Sequence, residues 1–365
     1  SNMSKGDLDA AAENADALLK SVKPGEDNRL ARLIRGLKLF RDGKFTEARA
    51  AFEGIEGKAL SEVGNRFGAA WAAVGAKQPD EAVKLAQSLL GAQGLEAFAV
   101  YHKALIEEAV GRNADALQSM AMAYKVSKGE ILRVSAAYGA MLERSGDTSK
   151  AKAVYDAYLA KSPDHPVIGQ MAANLGKTKT APKTPNEGLA EIYYAIANSL
   201  SQDNAVDLSM FYAQISLALN PRDDIAITLL GERLQAAERW DESSDVFRRI
   251  PKSSPVYQNA QLQIGANLAK EDKLDEAVRV LTGALSGTAR DVAIHSTIGD
   301  AYREKERYAE ADAAYTRAAN LLTKPSERDW ILFYTRGISR ERLKRWTEAE
   351  ADLEKALKLK PEQPL

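Results

Sequence analysis

Side chains with a wide chemical range are scarce in this 365-residue sequence. It holds three histidines, His102, His165 and His295, and no cysteine. The lack of cysteine excludes disulfides, thiolate nucleophiles and cysteine-built zinc or iron–sulfur sites. The histidines stand far apart, and no His-Glu-x-x-His spacing sets two imidazoles on one helix face around a metal. A phosphate cradle needs Gly-x4-Gly-Lys, whereas Gly36 and Gly43-Lys44 have six residues between the glycines. No Gly-x-Ser-x-Gly elbow presents a serine nucleophile. The carboxylates of Glu107 and Glu108, and of Glu348, Glu350 and Asp352, read as solvated helix faces. His295 falls on an apolar stripe and reads as a packing residue. These residues predict a chain that is no enzyme and needs no cofactor or metal.

Bulk composition adds exclusions. Lys and Arg number 50 against 51 Asp and Glu, so no net field draws the chain toward nucleic acid or an anionic membrane. No apolar run approaches the roughly 20 residues of a membrane helix. The hydrophobic share is 45%, ample for a sizeable core.

The elements that position these residues follow a beat. Small residues recur at Gly36, Ala70, Ala104 and Gly139, then at Ala197, Gly231, Gly265, Gly299 and Gly337, mostly 34 residues apart. Twelve residues after each stands a second small residue: Ala48, Ala82, Ala116, Ala151, Ser209, Ser243, Ala277, Ala311 and Ala349. Such a period marks a helical solenoid, each unit burying its apolar face on its neighbours. Within one period, Val292, His295, Ile298, Gly299 and Tyr302 form one helical stripe, and Tyr308, Ala311, Tyr315 and Ala318 form a second after a polar turn. Gly299 and Ala311 are expected where the two helices come closest.

Gly299, Tyr302, Tyr308, Ala311, Tyr315 and Ala318 resemble the tetratricopeptide repeat. So do Gly231, Trp240, Phe247 and Pro255, and Gly337, Trp346, Ala349, Ala356 and Pro361. The resemblance implies an all-α fold, a right-handed α-α superhelix of about nine helix-turn-helix repeats. The beat breaks once. Residues 176–188, polar, basic and rich in Pro and Thr, read as a linker or long loop. It would divide an N-terminal block, 4–175, from a C-terminal block, 189–365. Both ends stop mid-repeat, which predicts that the array continues beyond them.

The resemblance further implies that the first helix of each repeat lines a concave groove that holds partner proteins or peptides. Carried over, the groove residues are Phe40, Phe67, Trp71, Phe98 and Tyr101 in the first block, and Tyr194, Asn198, Arg303 and Tyr334 in the second. The N-terminal stripe is apolar and aromatic. It is either buried in the core or open to an apolar or helical peptide. Arg336, Arg340, Arg342, Lys344 and Arg345 form a basic run, read as an internally paired face beside Glu341 and the acids at 348–354. The run Trp330–Gly337, with Ala349–Leu353 and Leu359–Pro364, looks like long bacterial envelope tetratricopeptide proteins. Among these are lipoprotein adaptors of carboxy-terminal processing proteases. That likeness implies a periplasmic scaffold or adaptor with a protease and cell-wall hydrolases as partners. The alternative is a cytoplasmic chaperone-like or assembly scaffold.

Overall fold

The computed structural model describes residues 7–21, 28–55, 60–91, 93–177, 181–203, 205–288 and 290–362. Among them every regular element is helical. Helix α1 (Leu8–Ser21) precedes four hairpins: α2–α3 (Arg29–Arg41, Phe45–Glu53), α4–α5 (Leu60–Gly75, Pro79–Gln87), α6–α7 (Glu96–Ala109, Asn113–Val126) and α8–α9 (Leu132–Arg144, Thr148–Lys161). Helix α10 (Pro166–Ala173) stands outside the beat. Then come α11–α12 (Pro185–Gln202, Val206–Leu219), α13 (Asp224–Ala236) and α14 (Trp240–Phe247). The last three hairpins are α15–α16 (Tyr257–Lys270, Leu274–Gly283), α17–α18 (Asp291–Glu304, Tyr308–Leu321) and α19–α20 (Trp330–Arg342, Trp346–Leu359). The fold is an all-α solenoid of helical hairpins. No described helix is long and apolar enough to cross a membrane.

Eight of the first helices stop in the same way. Gly43, Lys77, Gly111, Gly146, Glu238, Asp272, Glu306 and Lys344 have positive φ, between 56° and 88°. A left-handed residue there turns the next N–H back onto the helix, as Lys44 N–H to Leu39 O and Arg307 N–H to Tyr302 O, both 2.9 Å. This closes the orphan carbonyls of the helix end and lets the second helix start within a few residues.

The small residues mark close approaches, with a different neighbour from the expected one. A Cβ added at Gly299 would lie 2.5 Å from the Tyr315 ring, one turn beyond Ala311. Gly36 meets Phe52 and Gly139 meets Tyr155 in the same relation, sixteen residues on. Phe52, Tyr155 and Tyr315 are fully buried, so each hairpin seats a ring in the notch its glycine leaves.

The break in the beat is shorter than expected. Thr184 and Glu187 form a capping box, with Pro185 in the first turn, so residues 185–188 begin α11. The part of the expected linker at 178–180 lies outside the described residues. Nor do the compact units divide there: one is Ser1–Arg233 and the other Leu234–Leu365. Helices α11 and α12 fall with the N-terminal unit because α11 packs across α4 and α6.

Candidate partner-binding surface

In the N-terminal unit the inner face of the first helices is filled. Phe40, Phe67 and Trp71 are fully buried, Tyr101 and Tyr194 nearly so, and Phe98 is half-buried. The filler is α11. Its Gly188 lies against the Trp71 ring, leaving no room for a Cβ. Ile192 and Ile196 close on Gly64, where an added Cβ would meet them at 3.1 and 2.6 Å. Leu189 faces Gly68. Tyr193 OH donates to Asn65 Oδ1 at 3.1 Å, and its ring stacks on Tyr212. The open-groove expectation for Phe40, Phe67, Trp71, Tyr101 and Tyr194 is therefore corrected: all five are buried, Trp71 and Tyr101 against α11, Tyr194 as part of α11, Phe67 against Phe98 and His102, and Phe40 against Phe45 and Phe52.

A charged cluster sits in this apolar seam. Glu191 of α11 is buried and accepts from Tyr101 OH at 3.0 Å. Its Oε2 lies 3.2 Å from Lys183 Nζ and 3.5 Å from Arg133 Nη1. Arg133 also donates to both carboxylate oxygens of Asp223 at 2.7 Å, and its guanidinium lies 4.2 Å over the Tyr194 ring. Burial alone would raise the Glu191 pKa, but Arg133 and Lys183 outweigh it and hold it at about 2. His102 neighbours the cluster among Phe98, Tyr101 and Phe67, and burial lowers its pKa to about 3. It is a neutral packing group.

The C-terminal unit keeps its inner face accessible. The first helices α15, α17 and α19 touch in series. On α17, Tyr315 OH donates to Asp300 Oδ1 at 2.6 Å, and Arg303 Nε donates to the same hydroxyl at 3.3 Å. Burial raises the Asp300 pKa. Arg303 is thus held through Nε, with its nearest carboxylate oxygen 3.8 Å from Nη2. On α19, Trp330 and Tyr334 pack at 5.8 Å between ring centroids, and Ile331 is 54% exposed. Arg303 and Tyr334 are partly exposed, as is Asn198 on α11. Three cations of the basic run, Arg336, Arg340 and Arg345, are paired with nearby acids, while Arg342 and Lys344 are exposed. Arg336 and Arg340 both bind Asp352, Arg340 and Arg345 bind Asp312, and Arg345 binds Glu348.

Residues 2–60 and 296–364 match a family model described as tetratricopeptide repeat. Those two stretches are similar to tetratricopeptide repeats. No curated protein matches it. Among solved structures similar to it is the crystal structure of MamA protein, 15% identical, with 48% of this chain and 97% of that one covered and a TM-score of 0.39. The Cut9–Hcn1 hetero-tetramer of the APC/C is 12% identical over 98% of this chain and 79% of that one, with a TM-score of 0.40. YrrB, described as a TPR protein with an unusual peptide-binding site, is 18% identical, covers 48% and 88%, and has a TM-score of 0.35.

Three acids depart from the solvated helix faces expected of them. Glu107 is buried with Lys103 and Ser119 Oγ, Glu108 with Arg144, and Asp352 with the two arginines above. Lys103, four residues before Glu107, was a legible signal for an intrahelical pair. The partners of Glu108, Asp352 and Glu191 come from other helices, and no local pattern marks them. Among the described residues no group of three or more acids or histidines is placed to hold a metal.

Proposed function

We propose that this chain is a scaffold that holds a protein or peptide on the inner face of its C-terminal repeats, through Arg303, Ile331 and Tyr334. The observation that carries the reading is the contrast between two equivalent faces. One is filled by α11; the other presents the Arg303 guanidinium on α17 and, on α19, an apolar shelf with Ile331 54% exposed. Rigid aromatic and arginine side chains at such a surface anchor partners at little entropic cost. Affinity capture from native extract tests it. Ile331→Asp with Tyr334→Ala should lower recovery of the bound partner at least tenfold, while Lys84→Glu on exposed α5 leaves it unchanged. Equal recovery with all three proteins overturns the proposal. A narrower reading, an envelope adaptor of a periplasmic processing protease and cell-wall hydrolases, is supported by the run Trp330–Gly337, which forms this shelf. Recovery of cytosolic partners alone overturns that reading in favour of a cytoplasmic assembly scaffold.

A further inference from the structure

We infer that α11 is a stand-in ligand: the inner face of α4, α6 and α8 is a binding surface for an amphipathic helix with a carboxylate at its centre, and α11 occupies it until such a helix displaces it. Three observations converge on this. First, the seam has the form of a helix in a groove. Leu189, Ile192 and Ile196 lie on one face of α11 and meet Gly68 and Gly64, and Tyr193 meets Asn65, all more than a hundred positions earlier. Second, the centre of the groove is built for an anion. Arg133 of α8 and Tyr101 of α6 both reach Glu191, and no acid of α4, α6 or α8 contacts it. Lys183, the other cation, lies outside the groove in the segment leading into α11.

Third, α11 fits incompletely. Four buried side-chain nitrogens at this seam have no hydrogen-bond partner: Trp71 Nε1, both nitrogens of His102, and Arg133 Nε. Buried polar groups are normally satisfied. A seam that strands four of them leaves room for a helix that meets them better, with an acceptor for the Trp71 indole and a polar group against His102. Helix α11 pairs with α12 as a hairpin, and before it Gly176, Lys177, Ala181, Pro182 and Thr184 are exposed. The titratable groups around Glu191 are His102 and Tyr101 of α6, Arg133 of α8, Tyr194 of α11, Lys183, and Asp223 before α13.

The test uses the full chain and a labelled synthetic peptide of residues 181–202. Fluorescence anisotropy should show the peptide binding a Glu191→Ala chain at least tenfold more tightly than the unaltered chain, because the resident helix has lost its charge contacts. A peptide carrying the same Glu191→Ala change should bind at least tenfold more weakly. A chain stapled by Gly64→Cys and Ile192→Cys, its only cysteines, should bind only after reduction. Failure of the Glu191→Ala chain to bind, or binding unaffected by the staple, overturns the inference. If Glu191→Ala does not fold, hydrogen exchange on the unaltered chain decides. Amides of α11 should exchange through an opening at least tenfold more frequent than those of α4 and α6, and equal protection overturns the inference. A dimer that exchanges α11 with a second copy and resists the peptide also overturns it.

Discussion

His102 sits inside a cage of Phe67, Phe98 and Tyr101 with neither nitrogen hydrogen-bonded, and its pKa falls from 6.5 to about 3 because burial disfavours the charged ring. Between those values the unfolded chain binds a proton that the folded chain refuses. Stability is therefore full above pH 6.5 and declines as pH falls toward 3. Between pH 6.5 and 4.5 the loss from this residue is about 3 kcal/mol, two pH units at about 1.4 kcal/mol each. Glu191, held at about 2, adds its own loss only below its unfolded value of 4.5. Burial also lowers His165 and His295, which contribute in the same direction. Urea unfolding at pH 7 and pH 4.5 should show most of this slope vanishing in His102→Leu. An unchanged slope contradicts the assignment. The residue's type suggested chemistry; its surroundings make it a hydrophobe with a pH liability.

At the scale of the hairpin, the sequence beat is strong because each period solves one packing problem. A small residue on the first helix admits a large side chain from the second, a ring at Gly36, Gly139 and Gly299 and a leucine at Gly265 and Gly337, and a left-handed residue turns the chain between them. Three of the eight described turns use glycine, while Lys77, Glu238, Asp272, Glu306 and Lys344 also take positive φ, Lys77 in the N-terminal unit and the rest in the C-terminal one. Four of those five, from Glu238 on, lie in the second unit, where no glycine fills the role. A left-handed non-glycine residue costs about 1–2 kcal/mol, and glycine gives back about 0.5–1 kcal/mol through its freer unfolded chain. Glu306→Gly should therefore stabilise by roughly 0.5–1 kcal/mol, because Glu306 stands at φ 58°. A guanidinium melt of the two proteins measures it, and a lower midpoint for the variant would refute the argument. This scale was the most legible in the sequence. Small residues such as Gly299 and Gly139 mark the notches directly. The start of α11 was harder to read, because Pro185-Asn-Glu-Gly188 looks like a turn until Thr184 and Glu187 are seen as a cap. Its destination was not legible at all, since the contacts of Glu191 and Tyr193 join residues 90 and 128 positions apart. The stripe from Phe67 to Tyr101 showed an apolar face but not what covers it.

Across the whole molecule the two units differ in how their contacts run along the chain. In Ser1–Arg233 the α11 seam ties α4 and α6 to a helix a hundred residues later, and one apolar cluster runs from Leu8 to Leu219. In Leu234–Leu365 the apolar clusters stay local, one around Ile294 and Ile298 and another around Tyr315 and Leu332. A repeat array couples only nearest neighbours, whereas a seam that bridges distant repeats makes them unfold together. The N-terminal unit should therefore unfold as one cooperative body and the C-terminal unit separately. Two substitutions separate them. Gly139→Ala forces a methyl into the Tyr155 ring, and Gly299→Ala does the same to Tyr315. Overpacking of this kind costs about 1–3 kcal/mol. Calorimetry of the full chain should resolve two transitions, with Gly139→Ala lowering one and Gly299→Ala the other. Hydrogen exchange followed by mass spectrometry assigns each to its residues. A single transition that both substitutions lower equally would show instead that residues 233 and 234 mark no energetic boundary.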